Sequence, residues 1–238
     1  MSEITGTTKL ACLLGSPVSH SISPLIHNFS FQYLGIDCAY LAFEINEQTL
    51  KEAVEGLKTL HVLGFNLTMP NKNKILEYLD GLSDAARLIG AVNTVENRDG
   101  RLIGHNTDGL GFMHSVREQG IQMEGQTMTL MGIGGAATAI CAQAALDGVK
   151  NIHIFARSTS SHLPRIRKLA ADLEKETSCA IFLHDIRDLN TLKSAMKESR
   201  LFVNATSVGM APDTQGCILP APSFLFPELA VADIIYSP

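Results

Sequence analysis

Short apolar runs alternate with stretches of helical periodicity along most of the chain, the pattern of βαβ construction around mainly parallel sheets. In the first half, residues 10–14, 39–43 and 62–67 read as strands, and residues 24–34, 47–60 and 71–79 as helices. Ser23 stands where it would cap the first of these helices, with Pro24 at the opening position. Two further strands, near 91–96 and 101–105, flank an Asn-Arg-Asp-Gly turn and read as a hairpin. A helix over 107–119 ends at Gly120 and marks the hinge to a second βα series. That series has strands at 127–131, 151–155, 180–183, 201–204 and 231–235, with helices 136–147, 161–176 and 189–197 between the first four. The pattern therefore predicts an α/β chain of two domains, residues 1–106 and 107–238, the first with a mostly parallel sheet. The Pro-rich piece over 211–227 carries Phe224, Leu225 and Phe226, which are too bulky for a disordered linker, and it reads as an ordered loop near the site.

The second domain opens on a strand, a tight turn and a helix, with Gly132, Gly134, Gly135 and Ala136 in the turn and Ala139 at the third small position. Glycine is needed where a side chain would block the approach of backbone to a pyrophosphate, and the helix N-terminus supplies free N–H groups. Such a glycine pattern alone also marks ordinary strand–helix turns; its place between a strand and a helix selects a Rossmann-type, doubly wound dinucleotide site. The next strand ends Ala156-Arg157-Ser158. An acidic residue there would hold the ribose hydroxyls of NAD, whereas an arginine suits the 2′-phosphate of NADP. Arg157 thus favours NADP, with NAD possible because an adenine ring also stacks on arginine. Its plainer reading is a solvated loop cation.

Four segments of the first half end predicted strands with uncharged hydrogen-bonding residues: 15–24, 66–72, 90–94 and 104–109. Ligands of open α/β sheets sit beyond the carboxyl ends of the strands, so these segments converge on one expected pocket. Hydroxyls and amides suit a ligand rich in hydroxyls, and Lys72 and Asp108 add an ionisable pair. Taken singly, Ser23 reads as a cap, Asn66, Asn93 and Asn106 as turn residues, Lys72 as a surface cation and Asp108 as a helix cap.

Composition narrows the classes. With 238 residues there is length for two modest domains. The net charge is -5 with scattered cations, which argues against nucleic acid as a partner. No apolar run approaches the roughly 20 residues that span a bilayer, and the N-terminus lacks the pattern of a secretory signal. The five cysteines are widely spaced without a C-x-x-C pair, so neither a metal site nor a disulfide framework is expected, and a reducing cytoplasm is. Monomer and homodimer both stay open.

In order, G-S-P-V-x-H-S-x-S-P-x-x-H-N, N-x-T-x-P-x-K, G-A-V-N-T, N-T-D-G, G-x-G-G-A and N-A-T-S-V-G-M run from Gly15 to Met210. Together they resemble the shikimate dehydrogenase family, including its quinate/shikimate branch; no single piece is specific, but the ordered set is. The resemblance implies a substrate-binding catalytic domain followed by a Rossmann domain, and NAD(P)-dependent reduction of 3-dehydroshikimate to shikimate in chorismate and aromatic amino-acid biosynthesis. It makes Lys72 and Asp108 the catalytic pair, assigns Ser21 and Ser23 to the substrate carboxylate, and gives Asn66, Thr68, Asn93 and Asp108 the ring hydroxyls. Tyr236 falls at the substrate edge. Gly132, Gly134, Gly135 and Ala136 cradle the pyrophosphate, Arg157 and Ser158 meet the ribose, and Asn204 and Thr206 line the nicotinamide side. Family members often have Asn-Arg-Thr or Asn-Arg-Arg-Asp where this chain has Ala156-Arg157-Ser158. They also continue past the Asp-x-x-Tyr-x-Pro motif with a helix that returns to the substrate domain, so a truncated or incomplete chain is expected here. The alternatives are a quinate/shikimate dehydrogenase using NAD and a nucleotide-binding protein without turnover.

Overall fold

The computed structural model describes residues 4–235. They form two compact units, one ending at Thr107 and the other beginning at Asp108. The first runs β1 (Lys9–Gly15), α1 (Ser23–Leu34), β2 (Cys38–Glu44), α2 (Leu50–Thr59), β3 (Gly64–Leu67), α3 (Asn71–Lys74), β4 (Gly81–Leu82), α4 (Asp84–Ile89), β5 (Thr94–Arg98) and β6 (Arg101–His105). Its sheet has the order β2-β1-β3-β5-β6-β4. The β1–β2, β1–β3 and β4–β6 pairings are parallel, while β3–β5 and β5–β6 are antiparallel.

Burial explains the pairing of helix with sheet. Leu50, Val54 and Leu57 fall on one face of α2 and are buried. They join Cys12, Leu14, Phe65 and Leu67 in one apolar cluster, each large side chain so buried contributing about 1.5–3 kcal/mol. The hairpin turn places Asp99 and Gly100 at φ 51° and 87°, the left-handed pair that a two-residue connection demands. At the other end of the sheet β2 is the edge strand. There the Asn28 side chain donates to Tyr40 O (2.8 Å) and accepts from Tyr40 N–H (2.9 Å).

Three expectations are corrected here. Ser23 does not cap α1: it is the first helical residue, Ile22 holds the cap position, and no side chain caps it. Ser21 Oγ instead accepts from Ser23 N–H (3.2 Å). The helix expected over 71–79 is a single α-turn, α3, that tightens into a 3₁₀ turn over Ile75–Tyr78. β5 starts at Thr94 and not near Ala91, because Val92 N–H is taken by Lys72 O (2.8 Å) and not by a strand.

The second unit runs α5 (Asp108–Glu118), β7 (Thr127–Met131), α6 (Gly135–Leu146), β8 (Asn151–Ala156), α7 (Leu163–Glu176), β9 (Ala180–Asp185), α8 (Leu189–Glu198), β10 (Leu201–Asn204) and β11 (Ala230–Asp233). All four pairings of its sheet, in the order β11-β10-β7-β8-β9, are parallel. The chain steps outward from β7 to β9 on one side and from β10 to β11 on the other. The direction therefore reverses between β7 and β10, the switch point of a doubly wound fold. α6 is rich in alanine and buried from Ala137 to Ala142. The small residues let α5 cross it closely, with Gly109 against Ala139 O and Gln143. Phe224 and Leu229, from the segment before β11, pack with Met131, Phe155 and Phe202, so that Pro-rich stretch is ordered. The five cysteines are free, four of them buried. Among the described residues no helix is long and apolar enough to cross a membrane.

Candidate active site

In the first unit the carboxyl ends of β1 and β3 lie side by side, since Leu14 pairs with Leu67. The antiparallel β5 brings its beginning to the same end of the sheet: Asn66 faces Thr94, and Thr94 faces His105. The segments that begin at Ser16, Thr68, Asn93 and Asn106 therefore meet along one edge. Thr68 N–H donates to Leu14 O (3.0 Å) and Ser16 N–H to Met69 O (3.0 Å), which locks the first two together. Gly15 has no room for a side chain, because a Cβ there would strike Thr68 Cγ2.

The amides and hydroxyls at this edge are held in one orientation. Tyr40 Oη donates to Asn66 Oδ1 (2.8 Å), and Asn66 Nδ2 donates to Thr94 Oγ1 (3.0 Å) and to Asn93 O (3.2 Å). Thr94 Oγ1 donates to Asn93 Oδ1 (3.0 Å), which also accepts from Thr107 N–H (2.9 Å). Asn93 Nδ2 reaches Thr107 Oγ1 (3.0 Å). Asn66, Asn93 and Thr94 are half-buried, so each keeps an open side for a ligand. Tyr40 is fully buried, and burial pushes its phenol well above its ordinary range. It therefore stays a neutral donor. His27 stacks on the Tyr40 ring at 4.2 Å, and its own burial lowers its pKa.

Lys72 sits in α3, which is anchored on three sides. Asn71 Nδ2 donates to Ile45 O (2.8 Å), Asn73 Nδ2 to Gly90 O (2.6 Å), and Lys72 O accepts from Val92 N–H (2.8 Å). A backbone so fixed leaves only side-chain torsions to aim the ammonium, which is what a proton donor requires. Ser21 and Ser23 are half-buried in the loop leading into α1. Asp108 is the first residue of α5 and opens the second unit. Tyr236 lies outside the described residues.

The second unit holds a cavity of about 450 Å³ at its switch point. Gly132, Ile133 and Gly134 line it after β7, Ala156, Arg157, Ser160 and His162 after β8, and Ala205, Thr206, Ser207 and Val208 after β10. Gly132 has φ +105°, and a Cβ on it would lie 2.7 Å from Ala205 O, so no other residue fits. A Cβ on Gly134 or Gly135 would meet no protein atom within 4 Å. The backbone at the mouth of α6 is bare on the side where a pyrophosphate would approach, and these residues fit a dinucleotide. Ala136 follows in the first turn of the same helix.

Asn204 is buried and does not line the cavity. Its Oδ1 accepts from Thr206 N–H (3.1 Å) and Oγ1 (2.7 Å), and its Nδ2 donates to Asp233 (3.0 Å). It shapes the loop that presents Thr206. Ser158 accepts from Arg187 Nη2 (3.0 Å), a partner that sequence reasoning missed along with Tyr40. Tyr40 was masked by its place in an apolar strand, and Arg187 by following β9 and not β8.

The substrate binding domain model of shikimate dehydrogenase matches residues 13–95. A shikimate dehydrogenase (NADP(+)) of Listeria monocytogenes serotype 4b is 48% identical over 236 residues, 99% of this chain and 81% of that protein. One from Streptococcus pyogenes serotype M28 is 44% identical over 241 residues, 100% of this chain and 82% of its own. Among solved structures, shikimate 5-dehydrogenase from Listeria monocytogenes in complex with shikimate and NAD superposes with a TM-score of 0.96 at 47% identity, covering 99% of this chain and 81% of that one. The two-unit α/β architecture, the glycine cradle and the ordered motifs have the same explanation: this chain belongs to the shikimate dehydrogenase family.

Proposed function

We propose that this chain catalyses the reversible, NADP-linked reduction of 3-dehydroshikimate to shikimate, on the route to chorismate and the aromatic amino acids in the cytoplasm. The observation that carries this reading is the locked relay Tyr40–Asn66–Thr94–Asn93–Thr107, an uncharged surface of donors and acceptors suited to ring hydroxyls. Ser21 and Ser23 take the carboxylate, while Asn66, Thr68, Asn93 and Asp108 take the hydroxyls. When bound, NADPH supplies the hydride that goes to the ketone carbon. Lys72 donates a proton from its ammonium to the ketone oxygen as negative charge builds there, and solvent restores that proton. The family resemblance gives Asp108 the second place in the catalytic pair. In the direction of oxidation the neutral lysine takes the hydroxyl proton back. Arg157, supported by the absence of an acidic residue at the end of β8, favours NADP; the relative crystallised with NAD makes NAD the second cofactor to test.

The experiment follows reduced-nicotinamide absorbance with shikimate and with quinate, each paired with NADP and NAD. Shikimate with NADP should give the highest kcat/KM. Lys72→Ala should lose about 10²–10⁴ in kcat while keeping its affinity for NADP. Faster turnover of quinate, or an undiminished Lys72→Ala, would overturn the assignment.

A further inference from the structure

The geometry points to Arg187 as a second guanidinium for the 2′-phosphate of NADP, acting beside Arg157 and positioned by Asp185. The inference rests on the NADP reading above and extends it to a residue beyond the end of β9. Arg187 follows Ile186, which packs with the apolar cluster of Phe155 and Phe202 and lines the same cavity as Arg157, so Arg187 stands at the rim of that cavity, outside its lining. Arg187 Nη2 donates to Ser158 Oγ at 3.0 Å, and Ser158 is the residue next to Arg157. The guanidinium fork also grips Asp185, Nε to Oδ1 at 3.0 Å and Nη2 to Oδ2 at 2.9 Å, while Arg187 N–H donates to Oδ1 at 2.9 Å.

Stability does not account for this arrangement. The Arg187 side chain is 80% exposed, and an exposed pair contributes little. What the arrangement does achieve is to stretch a long side chain across the gap between the ends of β8 and β9. Among the described residues Nη1 takes no partner, so its two N–H groups stay available to an anion. Arg157, Arg187 and Asp185 together carry one net positive charge beside the ribose end of the cavity. The open Nη1 edge of Arg187, with Arg157 following the adjacent strand β8, suits a phosphate monoester, which accepts several charge-assisted bonds at once. Ala156 brings no polar side chain to the end of β8, and Arg187 reaches that end from just beyond β9 through Ser158.

The test titrates adenosine 2′,5′-bisphosphate and 5′-AMP by calorimetry into the wild type, Arg157→Gln and Arg187→Gln, with no turnover required. The wild type should prefer the bisphosphate. Arg187→Gln should lose about tenfold or more of that preference, keep its affinity for AMP within about twofold, and melt at the wild-type temperature. Undiminished preference in Arg187→Gln would refute the role of Arg187 alone. Equal weakening of both ligands would also refute it, since that is the signature of a disturbed adenine wall. A wild type without any preference would overturn the NADP reading and this inference with it.

Discussion

Gly134→Ala separates folding from cofactor binding in the cradle. Gly134 caps α6 with φ -75° and ψ -173°, backbone that alanine adopts without strain. Reducing the freedom of the unfolded chain favours the variant by about 0.4–1 kcal/mol. Alanine is a poorer cap than glycine, which costs about 0.5–1 kcal/mol. The two offset, and a Cβ at this position meets no protein atom within 4 Å. The melting temperature without ligand should therefore move by no more than about 3 °C. The same Cβ enters the space where a pyrophosphate must approach the helix, so NADP affinity should fall by about tenfold or more. Gly132→Ala is the contrast. Its φ of +105° and the 2.7 Å approach to Ala205 O should cost on the order of 2–4 kcal/mol. That corresponds to a melting temperature lower by on the order of 10 °C. Scanning calorimetry on both apo variants and NADP titration of each provide the readout. Wild-type NADP affinity in a well-folded Gly134→Ala would refute the cradle, and an unfolded Gly134→Ala would refute the open space beside it.

Tyr40→Phe removes the donor to Asn66 Oδ1 and should destabilise by about 1–2 kcal/mol, read from the urea midpoint, while raising KM for shikimate more than it lowers kcat. An unchanged KM would show that Asn66 keeps its orientation unaided. His153 Nδ1 and His184 Nε2 lie 3.1 Å apart, and burial, the first cause in both, holds each below the ordinary imidazole value of 6.5. The folded state thus binds fewer protons than the unfolded state, so this contribution is full above pH 6.5 and is lost as pH falls through the folded values. Melting temperature against pH should show a step below pH 6.5 that His153→Gln makes smaller; an identical step in the variant would place it elsewhere. Asp185 is held well below the usual carboxylate range by the side-chain bond from Arg187, but the pair is exposed, so its protonation should leave no acid step in the melting temperature. Wild type and Arg187→Gln should therefore melt alike at acid pH, and an acid step confined to the wild type would refute that weighting.

Where a local rule had one physical outcome, the sequence was a sufficient guide. The glycine turn after β7 was legible because strand, glycines and helix each constrain the same few residues, and the Asn97–Gly100 turn because only left-handed residues close it. Boundaries set by distant partners were not. α3 stops after Lys74 although its periodicity continues, where the Asn71 and Asn73 side chains tie it to Ile45 O and Gly90 O. The six-residue α4 and two-residue β4 are too short to leave a periodic trace. At the site, Asn66 and Asn93 were legible as polar residues at strand ends, yet Asn66 is held by Tyr40, whose hydroxyl lies on a largely apolar strand, and Asn93 by Thr94 and Thr107. Asn204 was read as a cofactor contact; it is buried and holds the Thr206 turn, a distinction that depends on packing.

The Asn28 side chain acquires a meaning beyond the site. An edge strand exposes a row of unsatisfied N–H and C=O groups, a template on which another chain can polymerise. By occupying both backbone groups of Tyr40, Asn28 interrupts that row in the middle of β2. It imitates a neighbouring strand for a single residue and offers no further residue to extend it. The asparagine in the His-Asn pair of α1 thus breaks the pairing template at an edge where Leu41 and Phe43 are exposed.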